Sequence, residues 1–158
     1  MTGKPKKILV VDDNTNILNI TRKILEREEY RVFTVENVSH AKVMINTVPD
    51  LDLIISDIEI GPEDGRMIVQ YLMDIKSPIK IILMSGGYEE NNFITLPNIG
   101  FLKKPFEVWE VKEIVKEAID FIREERYQLL EEIVADIHCD GTGVYVCYCR
   151  EKVERIKP

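Results

Sequence analysis

Five polar residues of the sequence follow short apolar runs within one or two positions: Asp12, Asp13, Asp57, Ser85 and Lys104. Short apolar runs bounded by turn residues are typical of strands in a sheet that is covered on both faces. In an open parallel sheet, ligands bind beyond the carboxyl ends of the strands. We therefore expect three carboxylates, a hydroxyl and an ammonium group to meet at one edge of the sheet. The alternative is that each is a surface residue that caps a strand or begins a helix.

This combination of groups favours chemistry on a phosphoryl group. Three crowded carboxylates repel one another, and their ionised forms need compensating positive charge. Lys104 supplies one charge, and a hard divalent cation, Mg²⁺ or Mn²⁺, would supply more because carboxylate and phosphate oxygens bind such ions. A carboxylate beside Mg²⁺ can attack a phosphoryl group. The Lys104 ammonium would stabilise the phosphoryl oxygens during transfer, and the Ser85 hydroxyl would bind one of them afterwards.

The apolar pattern predicts the elements that position these groups. Strand-like runs lie at residues 8–11, 31–35, 51–55, 79–84 and 99–102. The segments between them show helical spacing, and Ile20, Met67 and Ile75 are among the residues expected to be buried. Strands that alternate with helices predict a doubly wound α/β fold with a five-stranded parallel sheet. Pro97 predicts a short or distorted helix in the fourth connection.

Four motifs around these strand ends resemble the receiver domain of two-component response regulators, the CheY-like family. They are KILVVDDN at residues 7–14, LIISD at 53–57, ILMSG at 82–86 and FLKKPF at 101–106. Each motif alone is moderately specific, whereas the ordered set is highly specific. The resemblance covers about residues 6–123, and we assign residues 1–123 to a receiver domain.

The resemblance implies a phosphoacceptor and a set of metal ligands. Asp57 would accept the phosphoryl group from a sensor histidine kinase or a histidine phosphotransfer protein. Asp13 and Asp57 would ligate Mg²⁺ directly, and Asp12 would act through a water molecule. The backbone carbonyl of Glu59 would complete the protein ligands.

The resemblance also implies a group of residues that binds the phosphate and switches conformation. Ser85 and Lys104 would hold the phosphoryl group, and the small Gly86 would leave room for its entry. Phe101 matches the aromatic residue that turns inward in the family, and the alternative is a core aromatic residue with a fixed rotamer. The Lys104–Pro105 peptide bond is expected to be cis, which proline makes accessible.

One loop of the sequence departs from the family pattern. The family usually has a proline four residues after the acceptor, but Gly61 occupies that position and Pro62 follows it. Asp64 and Gly65 still match. The departure concerns the conformation of the loop, whereas the residues that carry the chemistry are all present.

The remaining residues, 124–158, form a predicted C-terminal extension. Helical spacing begins at Glu107 and continues to about Ile137, which predicts an extended helix that either projects from the receiver or breaks near the polar residues 123–126. A small turn and strand follow. We expect the helix to associate with a second copy of the chain as a homodimer, and the alternative is a helix that packs against its own receiver. A separate DNA-binding domain would need more residues and a basic face.

Four potential zinc ligands occur in the extension: His138, Cys139, Cys147 and Cys149. They provide suitable donors, but the paired C-x-x-C spacing of typical zinc modules is missing. Cysteines two residues apart on a strand point to the same face, so a small core is the alternative.

Composition excludes several classes of protein. A chain of 158 residues suits one domain with an extension, and a net charge of −7 argues against gripping nucleic acid. No window resembles a membrane span, and the first apolar run is shorter than that of a signal peptide, so we expect a cytoplasmic protein. Three cysteines, all between residues 139 and 149, exclude a disulfide framework for the whole chain.

Two functional hypotheses follow from the sequence. The first is a phosphoacceptor that switches conformation and thereby controls a downstream protein effector or its own dimerisation. Its chemistry would be limited to Mg²⁺-assisted self-phosphorylation and autodephosphorylation, so it would not be a conventional enzyme. The second is a receiver-like interaction scaffold that works without phosphorylation.

Overall fold

The computed structural model describes residues 3–86 and 99–120, and in these ranges five parallel strands form a sheet with helices packed against it. The elements are β1 (Lys7–Val11), α1 (Thr15–Arg27), β2 (Arg31–Val35), α2 (Val38–Thr47), β3 (Leu51–Asp57), β4 (Glu59–Ile60), β5 (Glu63–Asp64), α3 (Arg66–Asp74), β6 (Lys80–Ser85), β7 (Ile99–Lys103) and α4 (Val108–Asp120). The strand order is β2-β1-β3-β6-β7, and each neighbouring pair is parallel. This arrangement confirms the predicted doubly wound parallel sheet.

The central strands are apolar because both faces of the sheet are covered. Successive side chains of a strand point to opposite faces, so Leu9 and Val11 lie in one hydrophobic cluster while Ile8 and Val10 lie in the other. Buried apolar residues of α2 and α3 belong to the first cluster, and those of α1 and α4 belong to the second. The two layers of helices therefore hold the sheet as a rigid support.

The strand register brings the carboxyl ends of four strands to one edge. Val11 of β1 pairs with Ser56 of β3, and Asp57 pairs with Met84 of β6. The register continues between β6 and β7, where Ser85 is paired with Lys103. Any polar group that follows β1, β3, β6 or β7 is therefore placed at the same edge of the sheet.

Three apolar residues predicted to be buried are exposed instead: Ile20 is 51%, Met67 47% and Ile75 43% exposed. Residues two apart on a helix lie on nearly opposite sides, and the buried side of α1 contains Leu18, which leaves Ile20 facing outward. Ile75 follows the last residue of α3, where the helical periodicity no longer applies.

A short antiparallel hairpin formed by β4 and β5 follows β3, and the sequence analysis did not predict it. Its two-residue turn is Gly61-Pro62, with Gly61 at a φ of +54°. A positive φ at the first turn residue, which favours glycine, followed by the fixed φ of proline suits a type II′ hairpin turn. The departure from the family pattern therefore builds a defined element.

Several predictions fall on residues outside the described ranges. They are the short helix of the fourth connection, the continuation of the last helix beyond residue 120, and the turn and strand of the extension. Within residues 3–86 and 99–120, none of the helices has the length and apolarity needed to cross a membrane.

Candidate functional site

Asp12 is the innermost carboxylate at the strand edge. It follows β1 directly, its backbone N–H donates to the carbonyl of Val35, and its side chain is fully buried. One carboxylate oxygen accepts a hydrogen bond from the backbone N–H of Asn14 at 2.8 Å, and the other accepts one from Lys104 Nζ at 2.8 Å. Both oxygens of this buried group therefore have donors, as burial of a charge requires.

Asp57 is the last residue of β3 and is 8% exposed. Its Oδ2 accepts a hydrogen bond from Lys104 Nζ at 2.7 Å, and its Oδ1 accepts one from the backbone N–H of Glu59 at 3.2 Å. The side chain is thus oriented at the sheet edge while a small part of it reaches solvent.

Lys104 follows β7 and places its ammonium between the two buried carboxylates. The backbone N–H of Lys104 donates to the carbonyl of Ser85 at 2.7 Å, which continues the ladder between β6 and β7 past the strand ends. Burial acts to lower the pKa of Lys104, but its hydrogen bonds to Asp12 and Asp57 outweigh this and raise the pKa above the usual 10.5. The ammonium therefore remains charged at neutral pH.

Asp12 itself shows the opposite balance of effects. Burial raises the pKa of its carboxyl above the usual 3.8, and the hydrogen bonds from Lys104 and Asn14 oppose the rise without cancelling it. The nearby charge of Asp57 adds to the increase. The hydrogen bonds to Lys104 and Asn14 therefore do not fully offset the cost of burying the Asp12 carboxylate.

Asp13 completes the acidic cluster from the solvent side. It is exposed, and its Oδ2 accepts a hydrogen bond from the backbone N–H of Gly61 at 3.1 Å. Asp12, Asp13 and Asp57 each offer one carboxylate oxygen, and these three atoms lie within 4.8 Å of one another.

The donor set fits a small hard cation. Mg²⁺ prefers oxygen ligands and keeps part of its water shell, so it needs a few carboxylates with access to solvent. The three clustered oxygens supply the carboxylates, and the exposure of Asp13 supplies the access. The residues present are therefore suited to Mg²⁺, which their chemistry had predicted.

The remaining predicted residues lie around this cluster. Ser85 ends β6 and is 4% exposed, and Gly86 is exposed, with open space on its side-chain side up to the Cβ of Lys104 at 4.0 Å. Phe101 is half-buried and packs against the hydrophobic cluster on the α2 and α3 face. The Lys104–Pro105 peptide bond is cis.

Glu59 lies in β4, two residues beyond Asp57, and its side chain is exposed. The carbonyl of this residue was expected to complete the ligand set. The four predicted zinc ligands, His138, Cys139, Cys147 and Cys149, lie outside the described residues.

Two glycines support the site in ways that sequence reasoning missed. A Cβ at Gly65 would lie 1.8 Å from the carbonyl oxygen of Asp57, so only glycine allows α3 to begin against the end of β3. The hydroxyl of Ser56 occupies the same corner and donates to that oxygen at 2.9 Å. The position of Gly65 directly before a helical pattern could have indicated its role at the start of α3. Nothing in the sequence indicated the contact between Gly61 and Asp13.

The family comparison agrees with this geometry. The family model described as the response regulator receiver domain matches residues 8–116. Those residues include α1, α2 and α3, most of α4, the five-stranded sheet except Lys7, and every member of the acidic cluster.

Individual relatives match over much of the chain. Sporulation initiation phosphotransferase F of Bacillus subtilis (strain 168) is 29% identical over 114 residues, which cover 70% of this chain and 91% of that protein. Nisin biosynthesis regulatory protein NisR of Lactococcus lactis subsp. lactis is 30% identical over 150 residues, 92% of this chain and 63% of that protein. The chain spans 23–33% of plant response regulators from Arabidopsis thaliana and Oryza sativa.

A solved structure shows the same fold. The CheY-like response regulator receiver domain protein from Methanospirillum hungatei JF-1 is 25% identical and aligns with a TM-score of 0.62. The alignment covers 74% of this chain and 95% of that chain.

Proposed function

The chain belongs to the response regulator receiver domain family of two-component signal transduction, and from that membership we propose that Asp57 accepts a phosphoryl group from a phosphohistidine. The donor would be a sensor histidine kinase or a histidine phosphotransfer protein. One observation carries the proposal: the Asp57 carboxylate, partly open to solvent, lies 2.7 Å from Lys104 Nζ inside a cluster of three carboxylates.

The transfer is a displacement at phosphorus. A carboxylate oxygen of Asp57 forms a bond to phosphorus while the bond between phosphorus and the imidazole nitrogen of the donor breaks, and the imidazole leaves and takes up a proton. Lys104 is the group of this chain that stabilises the phosphoryl oxygens, because its ammonium is held beside the attacking carboxylate and stays charged.

Asp12, Asp13, Asp57 and the backbone carbonyl of Glu59 are the groups that would hold Mg²⁺ or Mn²⁺. The bound ion supplies charge neutralisation between the acidic cluster and the incoming phosphoryl oxygens. The chain contributes the positions of these oxygens, because Asp12 is fixed by Asn14 and Lys104 and Asp57 is fixed by Lys104 and Glu59.

We propose that Ser85 and Phe101 change conformation when Asp57 is phosphorylated. Ser85 ends the strand next to β3, and its carbonyl is tied to the backbone N–H of Lys104. A shift of Ser85 toward a phosphoryl oxygen would therefore displace the end of β7 along with the end of β6. Gly86 leaves the entrance open, and Phe101, two residues before the end of β7, could then turn inward.

The output of the switch is a protein partner or a second copy of the chain. We place the receiver at residues 1–123 and the extension at residues 124–158, and the extension is the proposed route to dimerisation. No direct binding to nucleic acid is expected at the acidic edge, because its charge is negative. Self-phosphorylation and autodephosphorylation assisted by Mg²⁺ are the only reactions that we assign to the chain.

Substitution of the acceptor tests the proposal. We expect Asp57→Asn to abolish labelling by radioactive acetyl phosphate in the presence of Mg²⁺, because an amide cannot form the acyl phosphate. The control is Asp50→Asn, the same change at an exposed turn residue whose φ of +57° suits asparagine. Labelling that survives in Asp57→Asn would overturn the assignment, and unlabelled wild type would favour the scaffold hypothesis.

A further inference from the structure

We infer that the β4–β5 hairpin, residues 59–64, positions the Asp13 carboxylate for the cation and links that carboxylate to the first turn of α2. The inference rests on the proposed metal-binding function. We call residues 59–64 the site hairpin. Its turn residue Gly61 donates a backbone hydrogen bond to Asp13 Oδ2 at 3.1 Å, across 48 positions of sequence.

This contact matters because Asp13 is exposed. An exposed aspartate samples several rotamers, and fixing one of them has an entropic cost. A backbone N–H that already points at one oxygen lowers the cost of presenting the other oxygen to a cation. Partners of this kind, which orient metal ligands without touching the metal, typically change metal affinity by about tenfold or more when they are removed.

The donor is held by the backbone conformation of Gly61. Its φ of +54° lies in the left-handed region, where a side chain is strained, whereas the space beside it is open because an added Cβ would meet Asp13 Oδ2 only at 3.7 Å. A side chain at this position is therefore expected to move the N–H through backbone strain, with no steric block of Asp13.

The rest of the site hairpin is anchored, so the donor has a defined position. Ile60 is 1% exposed and lies in the hydrophobic cluster on the α2 and α3 face, next to Ile58, which is 4% exposed. The pairs Glu59 with Asp64 and Ile60 with Glu63 close the hairpin. The exposed turn is therefore attached to the hydrophobic core through the buried Ile60.

The second link runs from the site hairpin to α2. Glu63 Oε2 accepts a hydrogen bond at 2.9 Å from the backbone N–H of Val38, the first residue of α2. The first N–H groups of a helix have no partner within the helix, and a negative charge is favourable there. Gly61 and Glu63 lie on the same hairpin, so we expect a change in the Asp13 contact to affect the hydrogen bond at the start of α2.

Calorimetric titration of the full chain with MgCl₂ tests the first link. We expect Gly61→Ala to weaken Mg²⁺ affinity about tenfold and Glu63→Ala to weaken it about threefold. Glu63→Gln keeps an acceptor for Val38 and should retain most of the wild-type affinity. Glu36→Gln is the control, because it removes an exposed carboxylate two residues before Val38.

Hydrogen exchange at the Val38 amide tests the second link. We expect Mg²⁺ to increase its protection in the wild type by at least twofold, and we expect Gly61→Ala to remove that increase. An unchanged Mg²⁺ affinity in Gly61→Ala, or hydrogen exchange at the Val38 amide that does not respond to Mg²⁺, would overturn the inference. The proposed function would still stand. A wild type without Mg²⁺ binding would overturn the metal site itself. If circular dichroism shows that Gly61→Ala is unfolded, Glu63→Ala becomes the test of the inference. A Mg²⁺ affinity of Glu63→Ala equal to that of Glu63→Gln would then contradict the link between the hairpin and Asp13.

Discussion

Asp12 and Asp13 are neighbours in the sequence, yet the structure holds their carboxylates by different means. Asp12 is fully buried and shares Lys104 with Asp57, so these three residues form a strand-held half of the site. Asp13 is exposed and is contacted by Gly61 of the site hairpin, so these two form a hairpin-held half. One half is fixed by the sheet, and the other by a two-residue turn.

The two halves of the site are expected to tolerate substitution differently. The register of β1, β3 and β7 determines where the strand-held residues lie, and this register is supported by two hydrophobic clusters. A substitution that damages this half should therefore reduce the stability of the whole fold. A substitution in the hairpin-held half should change ion binding with little effect on folding.

Gly65→Ala is expected to have the largest effect, because it breaks the strand-held half. The new Cβ would lie 1.8 Å from the Asp57 carbonyl oxygen and 2.9 Å from the Ser56 hydroxyl, so backbone must move. Overpacking of this kind should lower the free energy of unfolding by about 3 kcal/mol or more. Urea denaturation measures the loss.

Gly86→Ala is the matched control for that experiment. Its Cβ would meet no atom closer than the Lys104 Cβ at 4.0 Å, so its free energy of unfolding should change by less than about 1 kcal/mol. Equal losses in the two variants would show that the close approach of Gly65 to Asp57 does not hold this half together.

Lys104→Met should have the second largest effect, because it leaves Asp12 and Asp57 facing each other without a counter-charge. The free energy of unfolding at neutral pH should fall by about 1–3 kcal/mol, whereas Lys103→Met, at the exposed neighbouring residue, should change it by less than about 0.5 kcal/mol. Denaturant titration compares the two variants.

The pH dependence of this variant has a defined sign. The pKa of Asp12 is raised in the folded protein, so the native state holds its proton more strongly and stability falls as pH rises through the window above 3.8. Loss of the Lys104 ammonium should steepen that fall, so the difference in the free energy of unfolding between wild type and Lys104→Met should widen as pH rises above 3.8. A variant with a flat profile would show that Lys104 does not compensate Asp12.

The strand-held half and the place of Asp13 in the cluster could be predicted from the sequence, whereas the contact between Asp13 and the site hairpin could not. Apolar runs mark strands, parallel strands end at a common edge, and this reasoning alone brought Asp12, Asp57 and Lys104 together. The contact between Asp13 and Gly61 depends on one backbone torsion of a turn, and apolar periodicity carries no information about such a torsion.

The other differences have similar local causes. Ile20 and Ile75 show that an apolar residue near a helical stripe need not be buried. The angular position of Ile20 on α1 turns it away from the buried side, and Ile75 lies beyond the end of α3. Gly65 was readable as a match to the family pattern, but its physical role required the distance to Asp57.

The smallest expected effect concerns the ion pair between Asp64 and Arg66, at the opposite end of the site hairpin from Asp13. Arg66 contacts both carboxylate oxygens of Asp64, at 2.6–2.9 Å, and Asp64 is partly exposed. Burial tends to raise the pKa of Asp64, but the hydrogen bonds from Arg66 outweigh it and lower the pKa below 3.8. The pair therefore contributes stability above the pKa of the unfolded aspartate and loses it as pH falls through the lower folded value.

Solvent screening limits the size of this contribution, so Arg66→Gln should reduce the free energy of unfolding by about 0.5 kcal/mol at pH 7. The difference from wild type should shrink below pH 4, and a double-mutant cycle with Asp64→Asn isolates the pair. Mg²⁺ affinity should stay within twofold of wild type, because Gly61, not Asp64, contacts Asp13. A tenfold loss of affinity in Arg66→Gln would show that the ion pair at Asp64, which does not contact Asp13, also helps to position the carboxylate.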